Sequence, residues 1–304
     1  MSTETASAAG AAGAALGLTA DILRSLERLS IPSRRTVPGA SEGRRRSRRY
    51  GSSLELADYR AYVPGDDIRR LDWGAYARLG KLFTRLYAGE DDACVTFWLD
   101  ASASMSWDHD RKRRPALSVA GALGFVSLIA EDRVACCGFA ETVHARAGPF
   151  RGKRSAPRLW ATLASMPGGV LTEWACIARA ARSVPRGLAV VISDFLAAPG
   201  GIKPALSALR MSGSEVLMLQ VLSPEEIHPS LQGELRLVDS ETAGGVEITM
   251  SQAAMRAYHE ARAEHEVALR ALATAHDARL VTLDGGAPLR QLLLGDLVRA
   301  RVLG

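Results

Sequence analysis

The chain has 304 residues, 47% of them hydrophobic, enough to bury the core of one large α/β domain or two smaller ones. Its formal charge of +5 is local: the tract 34–49 holds seven arginines against one glutamate, so the remainder stands near −1 and carries no general bias toward polyanions. The longest uncharged apolar stretch, 116–130, is too short to span a bilayer and contains two glycines, which excludes a membrane span there and predicts a buried helix.

Residues 1–17 are rich in Ala, Gly and Ser but lack the basic start of a secretory signal, so they read as a disordered lead-in. Thr19 can cap a short helix in which Ile22, Leu23, Leu26 and Leu29 recur at helical spacing before Pro32. The basic tract follows, with Arg34, Arg35, Arg44, Arg45, Arg46, Arg48 and Arg49, and completes a first segment, 1–50. These arginines could neutralise phosphates, which makes nucleic-acid binding the rival hypothesis, although no aromatic residue able to stack on bases occurs before Tyr50. A block of aromatic, acidic and arginine residues occupies 51–92.

From residue 93 to 304, strand-like and helix-like segments alternate. The predicted strands are 94–99, 134–139, 142–145, 188–192, 215–222 and 279–283, and the predicted helices are 116–130, 156–164, 173–182, 203–209 and 255–275. Near-continuous apolar strands in such a series predict a doubly wound, mostly parallel sheet covered by helices on both faces. Ligands of that architecture bind beyond the carboxyl ends of the strands, where strand order reverses. The four cysteines, Cys94, Cys136, Cys137 and Cys176, lie in apolar segments without C-x-x-C spacing, as expected of reduced thiols in a cytoplasmic protein.

Asp100, Ser102 and Ser104 place one carboxylate and two hydroxyls on the loop after strand 94–99. These are hard oxygen donors of the kind a small divalent cation takes, though the same residues also serve as helix caps. Asp194 follows strand 188–192 at the same sheet edge, and Thr172 follows Pro167-Gly168-Gly169 ahead of an apolar-periodic helix. In order and residue type, Asp100, Ser102, Ser104, Thr172 and Asp194 resemble the metal-ion-dependent adhesion site of von Willebrand factor type A domains. That resemblance implies a Mg2+ ion, replaceable by Mn2+ or Ca2+, bound directly by the two serines and directly or through water by the threonine. The aspartates hold coordinated waters, and one position stays open for a partner's carboxylate. The family pattern has Gly-Gly-Thr, whereas Val170 and Leu171 intervene here.

The block 51–92 carries Glu55, Tyr59, Arg60, Tyr62, Pro64, Gly65, Asp66, Arg69, Asp72, Trp73 and Arg78, and closely resembles the signature of the domain of unknown function 58 family. Members carry this block directly before a von Willebrand type A-like domain. Pro64-Gly65-Asp66 is a turn signal, and the mixed charges from Asp58 to Asp72 can satisfy one another, so the block reads as a salt-bridged plug packed on the sheet; a carboxylate clamp for a partner is the functional alternative. The resemblance implies a non-catalytic adaptor or co-chaperone acting with a MoxR-type AAA+ ATPase on an acidic client protein.

Catalytic readings fit less well. An aspartyl nucleophile would want a second carboxylate where Ser102 stands, and neither a G-x-S-x-G elbow nor a G-x-x-x-x-G-K-[ST] loop occurs, which leaves a Mg2+-dependent hydrolase as the weakest hypothesis. His259-Glu260 and His265-Glu266 are spaced by six, on different sides of a helix, and read as a solvated face. The basic clusters 111–114 and 151–154 are expected on loops, the first close to the metal motif.

Overall fold

The structure, a computed structural model, describes residues 12–32, 56–63, 71–87, 94–106, 111–229, 233–238 and 245–304. It divides into a smaller unit, 34–92, and a larger one, 1–33 with 93–304.

In the smaller unit, β1 (Leu56–Ala61) pairs antiparallel with β2 (Phe83–Tyr87), setting Tyr59 opposite Arg85 and Arg60 opposite Thr84. The helix Trp73–Leu79 begins at Asp72, whose buried carboxylate accepts the Ala75 N–H at 2.9 Å, and it ends at Gly80 in the left-handed region. Asp72 is therefore a helix cap, while Trp73 and Arg78 are exposed. Pro64, Gly65, Asp66 and Arg69 lie outside the described residues, as do all seven arginines of the basic tract.

The larger unit is built on six strands: β3 (Cys94–Asp100), β4 (Arg133–Phe139), β5 (Val143–Phe150), β6 (Gly187–Ser193), β7 (Glu215–Leu222) and β10 (Ala278–Asp284). Their order is β10-β7-β6-β3-β4-β5, and every neighbouring pair is parallel except β4 with β5. That exception has a simple cause: only residues 140–142 join the two strands, and a parallel return needs a dozen or more. The separate hairpin of β8 (Gly233–Val238) and β9 (Gly245–Met250) was not among the predicted strands.

Each residue of β3 is buried, because helices cover both faces of the sheet. Val95, Phe97 and Leu99 enter one core with the helices Ala20–Leu26, Arg113–Ile129 and Ala156–Ala164, whereas Trp98 enters the other with Ala175–Ala180, Pro199–Met211 and Gln252–Ala275. The helix Ala20–Leu26 is capped by Thr19 as predicted, and Ile22 and Leu26 supply its buried face; before it, residues 12–15, expected within a disordered lead-in, form a helical turn that brings Leu16 into the same core. Among the described residues no helix is long and apolar enough to cross a membrane, and the four cysteines are free and buried.

Strand order fixes where a ligand would sit. From β3 the chain proceeds to β4 on one side, then returns to place β6 on the other side of β3. A crevice therefore opens beyond the carboxyl ends of β3 and β6, the strands that deliver Asp100 and Asp194.

Candidate metal centre

Asp100 closes β3 and is buried. Its Oδ1 accepts the Ser102 N–H at 3.0 Å, and the Ser102 and Ser104 hydroxyls hydrogen-bond each other with their Oγ atoms 3.0 Å apart. The Thr172 hydroxyl lies 3.4 Å from both carboxylate oxygens of Asp100, and Ser193 donates to Oδ2 at 2.6 Å. Four of the five predicted oxygen-bearing residues thus converge, and Ser193 joins them unforeseen.

Burial, and next the neighbouring charge of Asp194, push the Asp100 carboxyl up to about 6 in spite of hydrogen bonds from Ser193 and Ser102.

Asp194 is engaged differently. Its Oδ2 accepts from Lys112 Nζ at 2.8 Å and its Oδ1 from the Leu196 N–H at 3.2 Å, while its carbonyl accepts from Gln220. Lys112 is 1% exposed and also donates to Glu226 at 2.8 Å. The short helix Pro224–Ile227 holds Glu226 through a capping box with Ser223. A resident ammonium thus already occupies the Asp194 side of the crevice. The cluster 111–114 is not a loop: residue 113 opens the helix Arg113–Ile129, Lys112 turns inward, and Arg111 pairs with Glu225 at 2.7 Å.

The two residues inserted before Thr172 are absorbed by one carboxylate. Glu141 accepts the N–H groups of both Val170 and Leu171 at 3.1 Å, the Val170 carbonyl accepts from Ala103, and the Gly169 N–H donates to the Ala101 carbonyl at 2.6 Å. A hydrogen bond from its own backbone N–H, followed by those from Leu171 and Val170, holds Glu141 below the usual carboxylate range, and Thr172 comes back to Asp100 despite the longer loop. Gly169 is needed for this approach, since a Cβ there would fall 2.3 Å from that of Ala140. Gly169→Ala is expected to lift the loop off Ala101 and to cost about 1–3 kcal/mol, read by thermal unfolding, with a parallel loss of cation affinity.

His265, assigned to a solvated face, instead donates Nε2–H to the Phe195 carbonyl at 2.8 Å, because the helix Gln252–Ala275 turns that side toward the Asp194 loop. Among the described residues no group of three or more His, Cys, Asp or Glu side chains could hold a metal, so a cation would depend on hydroxyls and Asp100. That donor set fits Mg2+: adjacent oxygens of an octahedron with bonds near 2.1 Å are about 3.0 Å apart. The Ser102 and Ser104 hydroxyls stand at that spacing.

The model of the family described as "Protein of unknown function DUF58" matches residues 58–268. The chain belongs to the DUF58 family. It is 30% identical over 262 residues to the uncharacterized proteins Rv1480 of Mycobacterium tuberculosis and Mb1516 of Mycobacterium bovis, covering 82% of this chain and 79% of each relative. Among solved structures, this DUF58 member is similar at 17% identity and a TM-score of 0.42 to the conserved hypothetical protein BatB from Bacteroides thetaiotaomicron, over 68% of this chain and 98% of that one. An aerotolerance-related membrane protein from Bacteroides fragilis gives 17% identity and a TM-score of 0.41 over 68% and 99%.

Proposed function

We propose that the larger unit is a von Willebrand factor type A-like domain and that the chain is a non-catalytic adaptor or co-chaperone, binding an acidic side chain of a partner through Mg2+. The observation that carries this reading is the convergence of Asp100, Ser102, Ser104 and Thr172 at the reversal of strand order, with two hydroxyls at octahedral spacing. Mg2+ bound there supplies an electrophilic position that accepts a carboxylate oxygen. Ser102, Ser104 and Thr172 are neutral donors and leave that charge largely intact, Asp100 contributes a negative charge that is not paired to Lys112, and Asp194 anchors the lysine. The partners in this reading are a MoxR-type AAA+ ATPase and an acidic client, both drawn from the family resemblance of the 51–92 block.

The test is capture of such an ATPase or client by the full chain in Mg2+. Capture should vanish with EDTA and with Ser102→Ala while the circular dichroism spectrum stays unchanged, and capture that survives both sinks the proposal. The nucleic-acid reading rests on the arginines of the basic tract alone; a low-salt mobility shift abolished by replacing all seven would favour it instead.

A further inference from the structure

Two loops deliver Thr172 and Asp194 to the crevice, and both carry large aliphatic side chains out into solvent. Val170 and Leu171 are 54% and 43% exposed, and Leu196 is 49% exposed. They make up half of the six large hydrophobic residues that stand exposed in the larger unit, among the described residues. Each lies within two residues of a side chain of the cluster.

None of the three sits on a loose tip. Glu141 holds the backbone of Val170 and Leu171, Ala103 holds the Val170 carbonyl, and Asp194 holds the Leu196 N–H. An aliphatic side chain pinned in water contributes nothing to the free fold, whereas on a preorganised rim it lowers the ordering cost of a partner that covers it. Charge at the same edge says what that partner carries. The Arg113 guanidinium lies against Gly168, donates to the Met166 carbonyl, and forms no ion pair with a carboxylate among the described residues.

From this juxtaposition the geometry points to a docking face for a partner segment in which one Asp or Glu is flanked by aliphatic or aromatic side chains. The acid meets the hydroxyl cluster and Arg113, and its neighbours cover Val170, Leu171 and Leu196. This rests on the metal-site reading and adds to it which acidic segments the site accepts: polyacidic stretches lack the apolar contacts and bind weakly.

The probe is an immobilised library of short peptides, each with one central Asp or Glu and randomised flanks, screened with the full chain in Mg2+ and in EDTA. A second chain carries Val170→Ser, Leu171→Ser and Leu196→Ser together, exposed positions whose replacement leaves the melting temperature unchanged. The expected result is Mg2+-dependent binders enriched in apolar flanks, weakened about tenfold or more by the triple variant, with Mg2+ affinity by calorimetry unaltered. Mg2+-dependent binders without apolar preference, or equal binding by the triple variant, overturn the docking face and leave the metal site standing. Apolar selection that persists in EDTA yet is lost in the triple variant supports the face while the metal reading fails. Absence of both Mg2+ binding and any selected peptide overturns the two together.

Discussion

Replacing Lys112 by methionine is expected to destabilise the fold by about 3–5 kcal/mol, because it strands two carboxylates in a low-dielectric crevice. Burial alone would push the pKa of this ammonium down, but the charges of Asp194 and Glu226 more than offset that and leave it raised. A raised lysine stabilises the fold at every pH below its ordinary value and loses that contribution only in strong alkali, so the loss should be complete at neutral pH. Urea unfolding at pH 7 measures it; a change below about 1 kcal/mol would mean the ion triad does not form, since surface ion pairs are worth no more than that. Adding Glu226→Gln should recover part of the stability by removing one of the two stranded charges. Mg2+ should stabilise the methionine variant more than the wild type, since the ammonium no longer neutralises Asp194.

Raising the pH from 4 to 7 should destabilise the metal-free protein at Asp100, and Mg2+ should reverse the loss. The sign follows from the direction of the shift. The folded carboxyl titrates at about 6 against an ordinary 3.8, so the folded state holds its proton longer than the unfolded chain. The resulting stabilisation is complete below the ordinary value and lost as pH rises through about 6, a change of ~3 kcal/mol at about 1.4 kcal/mol per pKa unit. A cation must displace that proton, so Mg2+ affinity should climb between pH 5 and 7. Asp100→Asn should flatten the pH profile, abolish the Mg2+ response, and leave the metal-free chain at pH 7 at least as stable as wild type. Thermal unfolding across pH, with Mg2+ or EDTA, reads all three; an asparagine variant that melts far below wild type at pH 7 without metal would make Asp100 a structural residue.

Much of the sheet was legible beforehand. Strands β3, β4, β6, β7 and β10 fall within about a residue of their predicted limits because each carries a run of apolar residues, a pattern held by the segment itself; β3 and β7 are buried throughout, whereas the edge strand β10 is only partly buried. The helix Ala156–Ala164 matches its predicted span, while the predicted helix 173–182 shortens to Ala175–Ala180 before a tighter turn. The hairpin of β8 and β9 escaped because its strands lie outside the main sheet, away from the alternation that guided the reading.

The sequence by itself determined the α/β class, because strand burial is a local property, while the family block and the set Asp100, Ser102, Ser104, Thr172 and Asp194 were legible through family resemblance. Only the tertiary structure decided how the crevice is charged and held. Lys112 meets Asp194 and Glu226 across 82 and 114 residues of chain, and Ser193 reaches Asp100 across 93. Glu141 repairs the Thr172 loop from 29 and 30 residues away. No periodicity encodes a lysine turned inward from a cluster of arginines; its ammonium is buried because β6 and the turn after β7 bring two carboxylates to the place where its helix begins.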